Sequence, residues 1–183
     1  MKNCPQAKAC FSSRQYGEEC GVFGIALKEG STLSAAHSVY TALYALQHRG
    51  QQTAGIASVD QGKFHLHKGP GLVPDVFNDR NLKTLTGPAA IGHVRYASGG
   101  DTATINAQPL VITHASGSMA VCYNGRLVNA DELRRETENR GGIFQSSNSA
   151  EVIAYLLVRE RMRAGTIEDA IINAMQYMVG AYS

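Results

Sequence analysis

The order in which two hydrophobic periodicities follow one another constrains this chain more than any other property of its sequence. Short, mostly apolar runs bounded by turn residues come first: Cys20 to Leu27, Thr53 to Val59, Phe64 to His67, Ala89 to Val94 and Met119 to Tyr123. These have the length and composition of strands, and their spacing suits an antiparallel sheet. One helix lies among them, from Ser34 to His48, with Val39, Tyr40, Leu43 and Leu46 at helical spacing and Arg49-Gly50 as its stop. Helical patterns then dominate, over Ala130 to Asn139, Ser149 to Arg163 and Ile167 to Met178, the last with Thr166 and Asp169 at capping-box spacing. Strands followed by helices predict an α+β layered fold.

The ends read differently. Residues 1–19 are polar, without periodicity, and read as a flexible leader. Gly180 to Ser183 reads as the opening of a further strand, so the chain reads as truncated at its C-terminus. With 183 residues, 44% of them hydrophobic and 17% charged, the remainder is long enough to bury a core as one domain. Seventeen Lys and Arg against fifteen Asp and Glu, without a long run of like charge, give no basis for a nucleic-acid or membrane partner. No apolar stretch has the length of a membrane span, and the leader lacks a secretory core, so a cytoplasmic location is expected. The four cysteines, Cys4, Cys10, Cys20 and Cys122, have neither zinc-site spacing nor the density of a disulfide scaffold. Reduced thiols are expected, with no cofactor and no metal.

Four places could carry chemistry. Cys20 is either a small buried residue at a strand or, if residues 1–19 are removed, a nucleophile whose own α-amine serves as base. The amine suits that role because its ordinary pKa, roughly 7.7 to 8.0, leaves a neutral fraction near pH 7. Arg95, ending the run Gly92-His93-Val94-Arg95-Tyr96, is either a surface charge or a fork for a carboxylate. Asn124-Gly125 is either a hairpin turn or an oxyanion hole made of a side-chain amide and a backbone N–H. Gln47 to Ile56 taken alone is a helix end, a polar loop and a strand start.

Together, ECGVFGI, LQHRGQQTAGI, HKGPGLVPDVF, AAIGHVRYASGG with AQPL, and YNGRLVNADELR occur in an order and spacing that resembles the amino-terminal glutaminase domain of the amidophosphoribosyltransferase family. These are class II glutamine amidotransferases of the first committed step of de novo purine synthesis. The resemblance runs from Glu18 to Ser183. It implies a four-layer αββα sandwich of the N-terminal nucleophile hydrolase type, with residues 1–19 a propeptide and 20–183 an incomplete glutaminase domain. It also implies that Cys20 attacks the glutamine side-chain amide to form a thioester, that Arg95 binds the substrate carboxylate, and that Asn124 and Gly125 form the oxyanion hole. Ser98 stands where the family has a hydroxyl-bearing Thr. Glutamine is the implied substrate. The ammonia released would meet phosphoribosyl pyrophosphate on a phosphoribosyltransferase domain that this sequence lacks, where magnesium would also belong, and full-length members are expected to be homo-oligomers.

The sequence departs from the family at one position above others. Asn148-Ser149-Ala150-Glu151 stands where the family has Ser-Asp-Ser/Thr-Glu, so Ser149 replaces the aspartate that binds the substrate's α-ammonium. Loss of such a partner commonly costs about 2 to 5 kcal/mol. Weak glutamine binding is therefore expected unless another carboxylate, such as Glu151, reaches the site. The alternatives are a weakened or silent glutaminase-fold binding or regulatory module, or a different class II amidotransferase. Tyr123 and Arg126 are lesser departures, standing where the family has His and Asn.

Overall fold

A computed structural model describes residues 20–96, 104–115 and 117–183. Strand β1 (Gly21–Ala26) is followed by helix α1 (Ala35–Ala45), the hairpin β2 (Thr53–Asp60) and β3 (Lys63–Pro70), and the single turns α2 (Val73–Val76) and α3 (Asp79–Leu82). Strand β4 (Ala89–Arg95) then closes a four-stranded antiparallel sheet in the order β1-β4-β2-β3. Next come β5 (Leu110–His114), β6 (Gly117–Val121), β7 (Gly125–Leu127), the helices α4 (Ala130–Asn139), α5 (Ser149–Arg161) and α6 (Ile167–Met175), and β8 (Gly180–Tyr182). β5 pairs with β6 and β7 with β8.

Local chemistry accounts for each boundary. The β2–β3 turn places Gln61 and Gly62 at φ +48° and +78°, the two positive angles that match a tight hairpin to strand twist. Helix α1 begins where the Ser34 side chain accepts the His37 N–H, and it buries Ala36, Val39 and Leu43 as one stripe. That stripe lies on β4 at Gly92, where an added Cβ would stand 2.4 Å from Val39 Cγ1 and 2.8 Å from Leu43 Cδ1. Ala90 and Val94 share this face and its core, while strand alternation turns His93 to the opposite one.

Four layers result, helix α1, the four-stranded sheet, the strands β5 to β8, and the remaining long helices. α1, the sheet and the α2–α3 segment enclose one apolar cluster, which includes Leu43, Ile56, Val73, Phe77 and Val94. Val121, Tyr123 and Leu127 pack with Ile153 and Ala154 of α5 in a second, and Leu133, Val152, Leu156 and Ala174 join α4, α5 and α6 in a third. This is the αββα arrangement expected from the resemblance. No helix among the described residues is long and apolar enough to cross a membrane.

Several expected boundaries shift for identifiable reasons. The Met119 to Tyr123 segment does not join the first sheet, because β6 pairs instead with β5. The helix expected to run to Met178 stops at Met175. Asn129 donates to Tyr177 O at 2.9 Å and accepts from Val179 N at 3.0 Å, turning the chain into β8 and leaving Met178 to pack in the cores. The helix expected to reach His48 ends at Ala45, and Gln47–Arg49 forms a separate 3-10 turn.

The contact of α1 with β4 should be intolerant of a single methyl group. Gly92→Ala is expected to lower the midpoint of urea unfolding, by about 1 to 3 kcal/mol of stability. An unchanged midpoint would show that α1 does not rest on Gly92.

Candidate active site

Cys20 immediately precedes β1, and the pairing of Gly21 with Val94 brings it to the end of β4. Its Sγ lies 3.4 Å from Tyr96 N, which donates to it, and 3.6 Å from Tyr96 O. The Cys20 carbonyl accepts from Arg49 Nε at 2.8 Å and lies 3.5 Å from Asn124 Nδ2. Three of the sequence-predicted positions, Cys20, Arg95 and Asn124, therefore converge, although 75 residues separate the first two and 104 the first and last.

Arg49 was not singled out from the sequence, where it reads as part of a helix stop. The signal available was a cation placed next to Gly50, whose Cα hydrogen faces the β4 backbone so closely that a Cβ would stand 2.7 Å from Val94 O. Gln47 of the same turn accepts the Val73 N–H at 2.6 Å and donates to Gly50 O. Gln52 N donates to Arg95 O at 3.0 Å. Gln47, Arg49 and Gln52 of the polar loop after α1 thus bind backbone of other segments, while His48 and Gln51 are exposed.

Asn124 and Gly125 do not form a hairpin turn. Asn124 exchanges two backbone hydrogen bonds with Ser183, at 2.9 and 2.7 Å, and Gly125 opens β7. Gly125 has φ +135°, and a Cβ there would lie 2.3 Å from Ala181 O, so close approach of β8 requires glycine. Immediately upstream, the Tyr123 backbone is held from two sides. His93 Nε2 and Gln108 Nε2 each lie 3.1 Å from Tyr123 O, and Tyr123 N donates to Gln108 Oε1 at 2.6 Å.

Burial pushes the His93 imidazole down to about 4; the Tyr123 carbonyl opposes this and the Arg95 charge adds to it. The ring is neutral near pH 7, and its contact with a carbonyl puts the one proton on Nε2. Burial pushes the Cys122 thiol up to about 12 against the pull of Lys68. Cys122 therefore stays a thiol and makes a poor nucleophile.

Ser149 is the first residue of α5, behind Asn148, whose side chain accepts the Ala150 N–H and donates to Asn106 O at 2.9 Å. Glu151 does not offer a spare carboxylate. One oxygen accepts from Gln145 N at 2.8 Å and the other from Ser146 N and Ser146 Oγ at 2.8 and 2.7 Å. Ser98 and the leader lie outside the described residues. Among the described residues there is no group of three or more His, Cys, Asp or Glu side chains that could hold a metal ion.

Residues 93–182 match the family described as glutamine amidotransferase domain, and that is the class of domain this part of the chain resembles. Within that class its likeness is to amidophosphoribosyltransferases. It is 49% identical over 164 residues to the amidophosphoribosyltransferase of Methanocaldococcus jannaschii, covering 90% of this chain and 34% of that protein. Against the Bacillus subtilis enzyme it is 44% identical over 167 residues, covering 91% of this chain and 34% of that protein. A solved structure described as the allosteric regulatory enzyme of purine biosynthesis superposes with a TM-score of 0.78 at 43% identity, covering 88% of this chain and 34% of that one. The chain thus spans about a third of the length of these relatives.

The buried imidazole sets a pH dependence. An unfolded histidine with a pKa of roughly 6.5 binds a proton that the folded His93 refuses. Its contribution is complete above that value and declines as pH falls toward about 4. Stability should fall through this window, and His93→Gln should flatten that part of the profile. Superimposable profiles for the two proteins would contradict the assignment.

Proposed function

We propose that the chain is a glutaminase that releases ammonia from the side chain of glutamine through Cys20. The observation that carries this reading is the meeting of the Cys20 thiol, the end of β4 at Arg95-Tyr96, and the Asn124 amide at one point. With residues 1–19 removed, the Cys20 α-amine takes the thiol proton and the sulfur attacks the amide carbon. Asn124 Nδ2 and Gly125 N–H then face the developing oxyanion, a kind of contact whose loss costs about 2.7 to 4 kcal/mol. The amine returns its proton to the departing nitrogen as ammonia leaves. Water then cleaves the γ-glutamyl thioester, giving glutamate and restoring the thiol. Arg95 would pair with the substrate carboxylate, and Ser98 would lie near it.

Backbone conformation supports removal of the leader. Cys20 sits at φ +51°, a left-handed angle that costs a non-glycine residue on the order of 1 to 3 kcal/mol. That torsion exists only while Cys20 has a preceding residue, so cleavage releases the strain. By likeness to the relatives, the ammonia would serve formation of 5-phosphoribosylamine from phosphoribosyl pyrophosphate on a phosphoribosyltransferase domain. Homo-oligomeric assembly and a cytoplasmic location belong to the same reading.

A weakened glutaminase is the second reading, favoured by Ser149 together with Glu151, whose oxygens are already engaged by Gln145 and Ser146. Ser149→Asp should restore a counter-charge for the α-ammonium and lower KM for glutamine by about tenfold or more. Ammonia release from glutamine, abolished by Cys20→Ala and by a diazoketone analogue of glutamine, would support the enzyme. Release unaffected by Cys20→Ala would overturn it, and absence of release from both the parent and Ser149→Asp proteins would favour the silent module.

A further inference from the structure

The motif segments around Gly55, Lys68, His93 and Gln108 have no part in the chemistry above, yet in the fold they meet behind it. His93 has no exposed surface and Gln108 is 3% exposed, and both are directed at the backbone of Tyr123. The Tyr123 carbonyl belongs to the same peptide unit as the Asn124 N–H. Its oxygen takes two side-chain donors, one from each direction, while the Asn124 N–H is taken by Ser183 O at 2.9 Å. The plane from which the Asn124 side chain departs is therefore fixed at both ends. Gln108 is fixed in turn. Lys68 Nζ donates to the carbonyls on either side of it, Ala107 O at 2.6 Å and Pro109 O at 3.2 Å. Gly55 leaves room for its own carbonyl, since a Cβ there would stand 2.1 Å from Gln108 O.

We propose that His93 and Gln108 are positioning residues for the glutaminase reaction, clamping the Tyr123 backbone so that the Asn124 amide and the Gly125 N–H stay aligned with Cys20. The proposal rests on the glutaminase reading. Packing alone does not explain a histidine here. Its Nδ1 is buried without a partner among the described residues, a cost that an apolar residue of similar volume would avoid. What an apolar residue would lack is the Nε2–H donor to Tyr123 O. An oxyanion hole acts through donors set before charge develops, so a loosened Asn124 peptide should affect the transition state more than the bound substrate.

The test compares the parent protein with His93→Leu, His93→Gln and Gln108→Glu, all expressed from the full sequence and checked for Cys20 as first residue and for a cooperative melt. His93→Leu should lower kcat by about ten- to a hundredfold with KM for glutamine nearly unchanged. His93→Gln, whose amide nitrogen falls near the position of Nε2, should recover most of the loss. Gln108→Glu keeps the acceptor for Tyr123 N and loses the donor to its carbonyl, so it should also lower kcat. Unchanged kcat in a folded His93→Leu protein, or a loss that appears wholly in KM, would overturn the proposal. So would a His93→Gln protein as slow as the leucine variant. Nitrogen-15 spectra of the histidine ring supply a readout independent of turnover. A slowly exchanging Nε2–H with a bare Nδ1 supports the clamp, and an Nδ1–H tautomer refutes it. If the parent protein releases no ammonia, the glutaminase reading fails by itself, and the ring tautomer still decides whether the clamp exists.

Discussion

Strand β4 is the element on which the other layers depend, because each of its residues is committed to a different neighbour. Gly92 lets α1 settle on one face. His93 crosses to the other face and reaches the Tyr123 carbonyl beyond the sheet. Arg95 ends the strand, and Tyr96 just beyond it donates its N–H to Cys20 Sγ. A register slip of one residue would exchange the two faces, putting an imidazole under α1 and a glycine against the second layer. The antiparallel pairing of β4 with both β1 and β2 fixes that register along the whole strand.

The same arrangement explains how a site can be assembled from backbone-directed polar groups. Arg49, Gln47, Lys68, Gln108 and His93 bind carbonyls or peptide N–H groups of other segments. Polar groups taken out of water in this way are tolerated where their partners are present, as they are here except at His93 Nδ1.

The run of strands followed by long helices was legible in the sequence because hydrophobic periodicity reports burial, whereas the four-layer order came only from the family resemblance. Cys20, Arg95 and Asn124 stood out as candidates because each carries a reactive or charge-binding group beside a glycine or a strand end, and the resemblance suggested their roles. Arg49 and Gln108 were not, since a side chain that binds a distant carbonyl leaves no periodic trace. β7 was missed because it has three residues and begins at the Asn-Gly pair that otherwise signals a turn, whereas β5, as long as β6, was missed without such a reason. Ser149 was legible as a departure, but the engagement of Glu151 by Gln145 and Ser146 depends on how the loop before α5 folds back.

Cys20 can serve as nucleophile and base in one residue only if it is the first residue of the working protein. Its Sγ lies beside Tyr96 and its carbonyl beside the Asn124 amide. The most direct test is the amino-terminal sequence of the catalytically competent protein, read by mass spectrometry. Cys20 as the first residue is the predicted result. A protein that retains Met1 and still hydrolyses glutamine would contradict it.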